Sequence, residues 1–398
     1  MTNEEVARLH EQYAMHIIDR IPVSFVRGQG CRVWDAGGRE FLDFVSGLGV
    51  NGLGYAHPTL LRAITEQAQA IMHSTNLYLI EPQARLCRKL CEVSFADQAF
   101  ICNSGAEANE AAFKLARKWG QLHGGQGKHK IISSEGSFHG RTLMTIAATA
   151  QEKYQAPFAP MPAGFEYVPF NDAGALEKAV DDSTCAVVLE PIQGETGINL
   201  MSDEYLRTAR RLCTERGALL IFDEIQCGMG RTGKLFCYEH SGVAPDVMTL
   251  AKTLGGGFPI GATVATDDAS VFEPSNHGTT FGGNHTACAA ALAVFEALKK
   301  ENLVENARER GGQMMAGLRE LQAKHGQVTD VRGRGLMLAF EVSNGTAKAL
   351  RQYLFDHGLL VNPIGDNVVR MLPPLIVTAA ECERALALLD QALSEVTA

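Results

Sequence analysis

Short apolar runs recur through the middle of the chain and alternate with amphipathic stretches. The runs are nearly continuous in Val, Ile, Leu and Phe, as in strands that are buried on both faces of a sheet. The stretches between them, such as residues 109–118 and 203–216, have the period of helices. This alternation predicts a mostly parallel sheet covered by helices, with ligands at the carboxyl ends of the strands. The predicted strands are residues 99–102, 130–132, 185–189, 218–222 and 247–250.

Both ends of the chain have a different pattern. A polar helix at the N terminus is followed by short β-rich runs that glycine turns separate, which predicts a small antiparallel sheet. An alanine-rich helix after Ala287 leads to further helices and strands. The runs near the N terminus are residues 23–27, 32–35 and 40–44, and those near the C terminus are residues 336–342 and 368–371.

The length and apolar content of the chain predict more than one domain. It has 398 residues, of which 46% are hydrophobic, and this is more than one compact core normally holds. We predict an α/β protein whose large domain, at 55–286, contains the mostly parallel sheet. A small α+β domain would be built from both chain ends, the N-terminal segment at 1–54 and the C-terminal part at 287–398.

The acidic balance of the chain argues against polyanionic partners. Its formal net charge is -9, whereas nucleic acids and anionic membranes need clustered Lys and Arg. The polar start lacks the pattern of a signal peptide and no apolar stretch is long enough to span a bilayer, so we expect a cytoplasmic protein. The 10 cysteines form no CxxC pair and no zinc-finger spacing, which predicts reduced core thiols and no metal site.

The first segment with candidate chemistry is the start of a helix. CNSGAEANEAAFKLAR runs from a strand into a helix, and Ser104 with Glu107 fits the S-x-x-E capping box. Free N–H groups and the dipole at a helix N terminus favour an anion, and Gly105 and Ala106 let a phosphate approach the backbone. Taken alone, an ordinary capped helix is the commoner interpretation.

Two further segments place a carboxylate and an amine directly after buried strands. Asp223 follows the apolar run LLIF, with Gln226 three residues on, and a carboxylate at that depth is costly unless a cation meets it. Lys252 follows VMTLA, which favours a partly desolvated amine suited to Schiff-base chemistry over an exposed loop lysine. Together with the helix start, these residues match the phosphate, the pyridine nitrogen and the aldehyde of pyridoxal phosphate.

Six motifs in order along nearly the whole chain resemble the class III, or ω-amino acid, aminotransferases. They are CNSGAEANEAAFKLAR, FHGRT, EPIQGE, LIFDEIQCGMGRTG, LAKTLGGGFPIGA and GTTFGGN. Within that class, the chain looks most like the acetylornithine and succinylornithine aminotransferases. The resemblance implies a fold-type-I pyridoxal-phosphate enzyme. Its ping-pong reaction would move the terminal amino group of an acylated ornithine to 2-oxoglutarate, giving the semialdehyde and glutamate.

The resemblance also implies roles around the cofactor. Lys252 would hold pyridoxal phosphate as a Schiff base and carry the proton between the substrate carbon and the cofactor. Asp223 would pair with the protonated pyridine nitrogen and keep the ring an effective electron sink. Gln226 would hydrogen-bond the phenolic oxygen, and Phe138 would stack on the ring.

At the phosphate end, the resemblance implies a site that two subunits share. Ser104, Gly105 and Ala106 would hold the phosphate from one subunit. Thr280 would reach it from the neighbouring subunit, beside Thr279 as a substrate-binding hydroxyl, so the active enzyme would be a homodimer. From the residues alone, the two hydroxyls are equally consistent with a simple turn.

Substrate recognition should need arginine, because 2-oxoglutarate and glutamate each carry two carboxylates. Arg370 in NVVRMLPPL matches the family arginine for the α-carboxylate of glutamate. Arg141 in HGRT matches the one that faces the acylornithine or distal carboxylate. Glu195 in QGETG matches a glutamate that masks Arg370 while the ω-amine donor is bound.

Other function classes fit the sequence less well. Gly47-Leu-Gly49-Val-Asn-Gly52 has the spacing of a dinucleotide site, but no helix follows directly and no acidic residue stands where a ribose would need it. We expect this turn to line the substrate entrance instead. No P-loop and no HExxH motif occurs. A pyridoxal-phosphate aminomutase would not need Arg370, and a silent cofactor-binding regulator would not need Lys252, Asp223 and Gln226 together.

Two positions bear on the choice of amino donor. Ornithine aminotransferases usually carry a tyrosine where this chain has Gly47, which favours an acylated ornithine over free ornithine. Acylornithine enzymes usually read GGNPLA, whereas this chain has His285-Thr286 in place of Pro-Leu. We expect His285 to be an exposed loop residue. Succinylornithine, ornithine, 4-aminobutyrate and other diamines stay open as donors.

Overall fold

The fold is that of a computed structural model, which describes residues 1–343 and 345–396. The strands are β1 Phe25–Gln29, β2 Arg32–Asp35, β3 Glu40–Asp43, β4 Gln98–Cys102, β5 Lys130–Ser134, β6 Phe165–Val168, β7 Thr184–Leu189, β8 Ile192–Gln193, β9 Asn199–Leu200, β10 Leu219–Asp223, β11 Val247–Leu250, β12 Gly261–Ala265, β13 Val328–Arg334, β14 Met337–Val342, β15 Leu359–Leu360, β16 Asn362–Ile364 and β17 Val368–Met371. The helices are α1 Asn3–Tyr13, α2 Ser46–Gly49, α3 Pro58–Ala70, α4 Glu81–Glu92, α5 Gly105–Gly124, α6 Leu143–Ala148, α7 Glu152–Gln155, α8 Ala173–Ala179, α9 Asp203–Arg216, α10 His285–Lys300, α11 Leu303–Lys324, α12 Ala347–Asp356 and α13 Ala379–Glu395, and short 3-10 turns lie at Ala156–Phe158, Cys237–His240 and Lys252–Gly255.

A seven-stranded sheet in the order β4-β12-β11-β10-β7-β5-β6 forms the centre of the molecule. Every pair is parallel except those of β12, which runs antiparallel to both β11 and β4. The predicted mostly parallel sheet and the α/β class are therefore confirmed. The sequence did not predict β12, because its residues GATVA are small and carry little of the branched apolar signal of a buried strand.

Two smaller sheets contain residues from the chain ends. The N-terminal strands form the order β1-β2-β3-β15, in which Leu42 of β3 pairs with Leu359 of β15. A second sheet has the order β13-β14-β17-β16. These pairings confirm the expected small α+β part built from both ends of the chain. The domain boundaries at 54 and 286 stay predictions.

Helix α5 directly follows β4, an edge strand of the central sheet, and begins at the site. Ser104 caps the helix, which runs 20 residues to Gly124, further than its predicted extent. Its buried face packs on the sheet and is richest in alanine, so the backbone can lie close to the strands. All ten cysteines are unpaired thiols and most of them are buried, as expected. Within the described ranges, no helix is both long and apolar enough to cross a bilayer.

Candidate active site

A cavity of about 420 Å³ opens at the carboxyl edge of the central sheet. It has the size of a small-molecule site. The loops after several of the parallel strands meet there, as expected for an open α/β sheet. Nine of the residues singled out from the sequence line it, and these are Ser104, Gly105, Ala106, Phe138, Arg141, Glu195, Asp223, Gln226 and Lys252.

Lys252 leaves β11 in a strained backbone conformation. Its φ of 45° lies in the left-handed region, which is uncommon for a residue with a side chain. The side chain is 21% exposed, and its amine lies 3.9 Å from the carboxylate of Glu195. Burial lowers the pKa of Lys252, Glu195 opposes this effect, and the charge of Arg370 adds to it. The amine is therefore easier to deprotonate than an exposed lysine, as a nucleophilic amine must be.

Asp223 is a buried carboxylate with several hydrogen-bond donors. Its Oδ2 accepts from Asn109 Nδ2 at 2.8 Å and lies 2.8 Å from His139 Nδ1. Its Oδ1 accepts from the backbone N–H of Ile225 at 3.1 Å. Burial opposes protonation of His139, but the hydrogen bond and the charge of Asp223 outweigh it and raise the pKa of the imidazole. His139 and Asn109 thus both meet the buried carboxylate, which a charge at this depth requires.

The start of α5 forms one corner of the cavity. Ser104 Oγ accepts from Glu107 N at 3.2 Å, which is one half of the expected capping box. The other half is absent, because the Glu107 carboxylate accepts from Asn103 N at 2.6 Å and from Asn103 Nδ2 at 3.1 Å. Since the first N–H groups of a helix have no partner within the helix, those of Gly105 and Ala106 suit an anion in the cavity.

Arg370 is buried behind Glu195. Its side chain is 2% exposed, and Nη1 donates to Glu195 Oε1 at 3.0 Å. Gln226 Nε2 donates to the same carboxylate oxygen at 2.9 Å, and Gln226 Oε1 accepts from Arg370 Nη1 at 3.3 Å. Burial alone would raise the pKa of Glu195, but the charges of Arg370 and Lys252 lower it to about 2. Glu195 is thus an anion that neutralises Arg370.

Phe138 and the exposed Arg141 line the cavity and contact the ring of Tyr154 beside it. The guanidinium of Arg141 lies 4.0 Å from the ring centroid of Tyr154 and 5.4 Å from that of Phe138. The two rings meet edge to face with centroids 6.0 Å apart. Contacts between a cation and aromatic rings are attractive, so they hold the side chain of Arg141 beside the cavity although the residue is exposed.

Comparison with known proteins decides the family. The profile described as Aminotransferase class-III matches residues 13–393. The chain belongs to the class III aminotransferases. An acetylornithine aminotransferase from Caldanaerobacter subterraneus subsp. tengcongensis is 50% identical over 386 residues, which are 97% of this chain and 98% of that protein. Another from Methanocaldococcus jannaschii is 45% identical over 397 residues, with 100% of both chains covered.

Solved structures agree with this assignment. The ornithine aminotransferase of Toxoplasma gondii ME49 has a TM-score of 0.95 at 34% identity, with 99% of this chain and 95% of that chain covered. An acetylornithine aminotransferase from Elizabethkingia anophelis has a TM-score of 0.90 at 32% identity, with 100% of both chains covered. The aminotransferase therefore has the fold-type-I architecture that its motifs implied.

Class III aminotransferases are pyridoxal-phosphate enzymes, so pyridoxal phosphate is the cofactor of this aminotransferase. The cavity fits it chemically. The helix start at Gly105 suits the phosphate, the carboxyl group of Asp223 suits the pyridine nitrogen, and Lys252 offers the amine for the aldehyde. These three groups face one cavity of sufficient volume, as the sequence motifs implied.

Thr279 and Thr280 lie outside this arrangement in the single chain. Among the described residues that line the cavity, neither threonine occurs. Thr279 Oγ1 accepts from Asn103 Nδ2 at 3.0 Å, whereas Thr280 is exposed. Asn76 Nδ2 donates to the carbonyls of Thr279 and Gly282 at 3.1 and 2.9 Å and so holds the loop in place. The aminotransferase thus presents Thr280 outwards on a well-braced loop.

Three polar residues belong to the site although the sequence motifs that contain them gave them no role, namely Asn109, His139 and Glu190. Burial raises the pKa of Glu190 to about 7, and its carboxylate accepts from the backbone N–H groups of Phe138 and Gly194 at 2.8 and 3.2 Å. The available signal was polarity within otherwise apolar motifs, as in Asn109 on the alanine-rich face of α5.

The expectation for His285 was wrong. This residue is not in an exposed loop but is the first residue of α10, and its ring Nε2 lies 3.0 Å from Ser74 Oγ. Asn284 caps the helix by accepting from Ala287 N at 2.9 Å, which extends the helix to include His285. Thr286 is buried and donates to the carbonyl of Met72. The His-Thr pair therefore joins α10 to the segment after α3.

Proposed function

We propose that this aminotransferase moves the terminal amino group of N-acetylornithine, or of succinylornithine, to 2-oxoglutarate. The observation that carries the proposal is the pairing of Arg370 with Glu195 at 3.0 Å, directly beside Lys252. The reacting carbon of such a donor carries no carboxylate, whereas that of 2-oxoglutarate carries one, so an enzyme that binds both in one site needs an arginine that can be masked and exposed. The acetylornithine aminotransferases at 45 to 50% identity support the acyl donor.

The chain's own residues would divide the work of the half-reactions. Bound pyridoxal phosphate supplies the electron sink that acidifies the C–H bond next to the substrate nitrogen. Lys252 then takes this proton and returns it to the cofactor side, which its lowered pKa allows. Asp223, held by Asn109 and His139, would pair with the pyridine nitrogen. Phe138 would pack on the ring and exclude water there.

Donor and acceptor would both use Arg141, but only the acceptor would use Arg370. With the acylornithine donor, Glu195 stays on Arg370, and Arg141 binds the α-carboxylate at the cavity mouth. With glutamate or 2-oxoglutarate, Glu195 leaves and Arg370 binds the α-carboxylate through two parallel hydrogen bonds. Arg141 then meets the distal carboxylate. Gly47 fits an acylated donor because it places no polar group near the mouth for a free α-amine.

The active form would be a homodimer in which Thr280 completes the partner's phosphate site. The exposed position of Thr280 supports this arrangement. Large apolar side chains surround it in two segments, and an apolar patch of this kind is usually covered by a partner. They include Leu77, Tyr78, Leu79 and Phe281, whose exposed fractions are 87%, 72%, 102% and 63%.

The donor is identified by adding N-acetylornithine, succinylornithine, ornithine and 4-aminobutyrate separately to the holoenzyme. The correct donor should bleach the cofactor absorbance, and 2-oxoglutarate should restore it. The Lys252→Ala variant is the matched control and should bleach with none of them. Bleaching by free ornithine in preference to both acylornithines would transfer the assignment to the ornithine aminotransferases, whose solved structures are similar in fold.

Sharing of sites between subunits is tested by mixing two inactive variants. Lys252→Ala and Thr280→Ala dimers, each nearly inactive, are dissociated and reassociated together. If Thr280 acts on the partner's site, each hybrid dimer has one site with both residues intact, and activity returns. If Thr280 acts within its own chain, every site lacks one residue, and the mixture stays inactive.

A further inference from the structure

The guanidinium of Arg370 has two edges with different partners. On one edge, Nε and Nη2 donate to Asn362 Oδ1 at 3.2 and 2.7 Å. On the other, Nη1 donates to the carbonyl of Gly194 at 2.8 Å and to the side chains of Glu195 and Gln226. Glu195 and Gln226 line the cavity. The edge that Asn362 occupies is therefore distinct from the edge that a substrate carboxylate would approach.

The backbone fixes the contact between Asn362 and Arg370. The two residues are direct cross-strand partners in the antiparallel pair of β16 and β17. Side chains at such positions lie on the same face and contact each other. Asn362 can therefore hold the guanidinium whether Glu195 is present or has moved away.

Gly194 is a second fixed partner of Arg370. Its N–H donates to the buried carboxylate of Glu190 at 3.2 Å, while its carbonyl accepts from Arg370 Nη1 at 2.8 Å. A Cβ atom at this position would clash with the side-chain amide of Gln226, so a larger residue would displace Gln226 from its contacts with Glu195 and Arg370. The N–H and the carbonyl of Gly194 thus both fix the backbone directly before Glu195.

We propose that Asn362 is a positioning residue that orients Arg370 for the dicarboxylate substrate, which rests on the proposed function of Arg370. Its amide oxygen accepts two N–H groups without adding charge. The guanidinium therefore keeps its full positive charge for a substrate once Glu195 leaves. A carboxylate at position 362 would fulfil the same geometry but would neutralise Arg370 permanently. Neutrality at this position is accordingly what sets the preference for a dicarboxylate acceptor.

Two variants separate geometry from charge. Asn362→Ala removes both hydrogen bonds, and Asn362→Asp keeps an acceptor but adds a negative charge. The probe is glutarate, a non-reacting five-carbon dicarboxylate, whose dissociation constant is read from the cofactor absorbance of the holoenzyme. We expect a rise of about tenfold for Asn362→Ala, since hydrogen bonds to a charged group are strong, and a larger rise for Asn362→Asp.

The matched control is Asn367→Asp in the turn that joins the same two strands. Asn367 is exposed, and its Oδ1 accepts from Gly345 N at 3.0 Å, so this variant adds the same charge without a contact to Arg370. Glutarate binding should be unchanged in it. The dissociation constant of the amino donor should change by less than about twofold in both Asn362 variants, because Arg370 is masked while the donor is bound.

Unchanged glutarate binding in both Asn362 variants would overturn the inference. Equal losses for glutarate and for the amino donor would also overturn it, because they would indicate a general structural role. A different result would refute the proposed function itself. If the wild-type enzyme neither binds glutarate nor passes its amine to 2-oxoglutarate, Arg370 does not serve a dicarboxylate at all.

Discussion

Replacing Glu195 by glutamine tests the masking of Arg370 directly. The variant keeps the size of the side chain and its contact with Gln226, but it removes the negative charge 3.0 Å from Arg370 Nη1. If the proposed function is right, a substrate carboxylate must displace this charge in the wild type before it can bind. The variant should therefore bind glutamate and 2-oxoglutarate more tightly, although it loses a native ion pair.

The size of this gain follows from the burial of the two partners. Arg370 is 2% exposed and Glu195 is 24% exposed, so solvent screens the pair only in part. A hydrogen bond to a charged group contributes about 1.5 to 3 kcal/mol, and the neutral amide retains part of it. We therefore expect a gain near the lower limit, which is about a tenfold lower dissociation constant, because 1.4 kcal/mol is tenfold in affinity.

The assay follows each half-reaction of the holoenzyme separately by stopped-flow absorbance. The dissociation constant for glutamate should fall about tenfold, and that for the acylornithine donor should change much less. Glu204→Gln, which removes an exposed carboxylate at the start of α9, is the control and should alter neither constant. Weaker binding of glutamate in the Glu195 variant would refute the reasoning, since the carboxylate would then assist the acceptor.

Three further predictions concern single side chains. Lys252→Ala should abolish turnover while circular dichroism stays that of the wild type, and measurable transamination by this variant would refute the assigned role. Tyr154→Leu removes the ring beneath Arg141 and should raise the KM of the acylornithine donor about two- to fivefold, with no change for a donor that lacks a carboxylate at that end. Burial raises the pKa of Glu224 to about 8 from an ordinary 4.5. Between these two values the folded protein keeps a proton that the unfolded chain has lost, so rising pH lowers the free energy of unfolding. In urea titrations, the free energy of unfolding of Glu224→Gln should fall by about 1 kcal/mol less than that of the wild type between pH 7 and pH 8. An equal fall in both proteins would contradict this prediction.

The sequence predicts those parts of the fold in which local pattern and final position agree. The strands before Asp223 and Lys252 are long apolar runs between helices, and their parallel pairing follows from that alternation. Strand β12 is different, since its antiparallel position between β11 and β4 is set by tertiary packing and not by its own small residues. Local pattern carries no information about such an insertion.

Contacts within the site divide in the same way. Asp223 and Lys252 are identifiable because charged groups directly after buried strands are unusual. The contact between Arg370 and Glu195 joins residues 175 apart in sequence, and only the family resemblance pointed to it. The partners of Asp223 lie 84 and 114 positions away, so only the folded structure brings His139 and Asn109 to it.

The sheet topology also sets the order in which a chain emerging from the ribosome can fold. Strand β4 leads into the start of α5 and, among the strands that the structure describes, has β12 as its only neighbour in the sheet, with Cys102 opposite Gly261. The N-terminal strand β3 likewise pairs with the much later strand β15, whose Leu359 lies opposite Leu42. Pairings between such distant residues form slowly, and neither can form before the later strand has been synthesised. Strand β4 beside α5 and the N-terminal sheet are therefore completed late in translation. Nascent chains that end before Gly261 expose β4 without its partner strand.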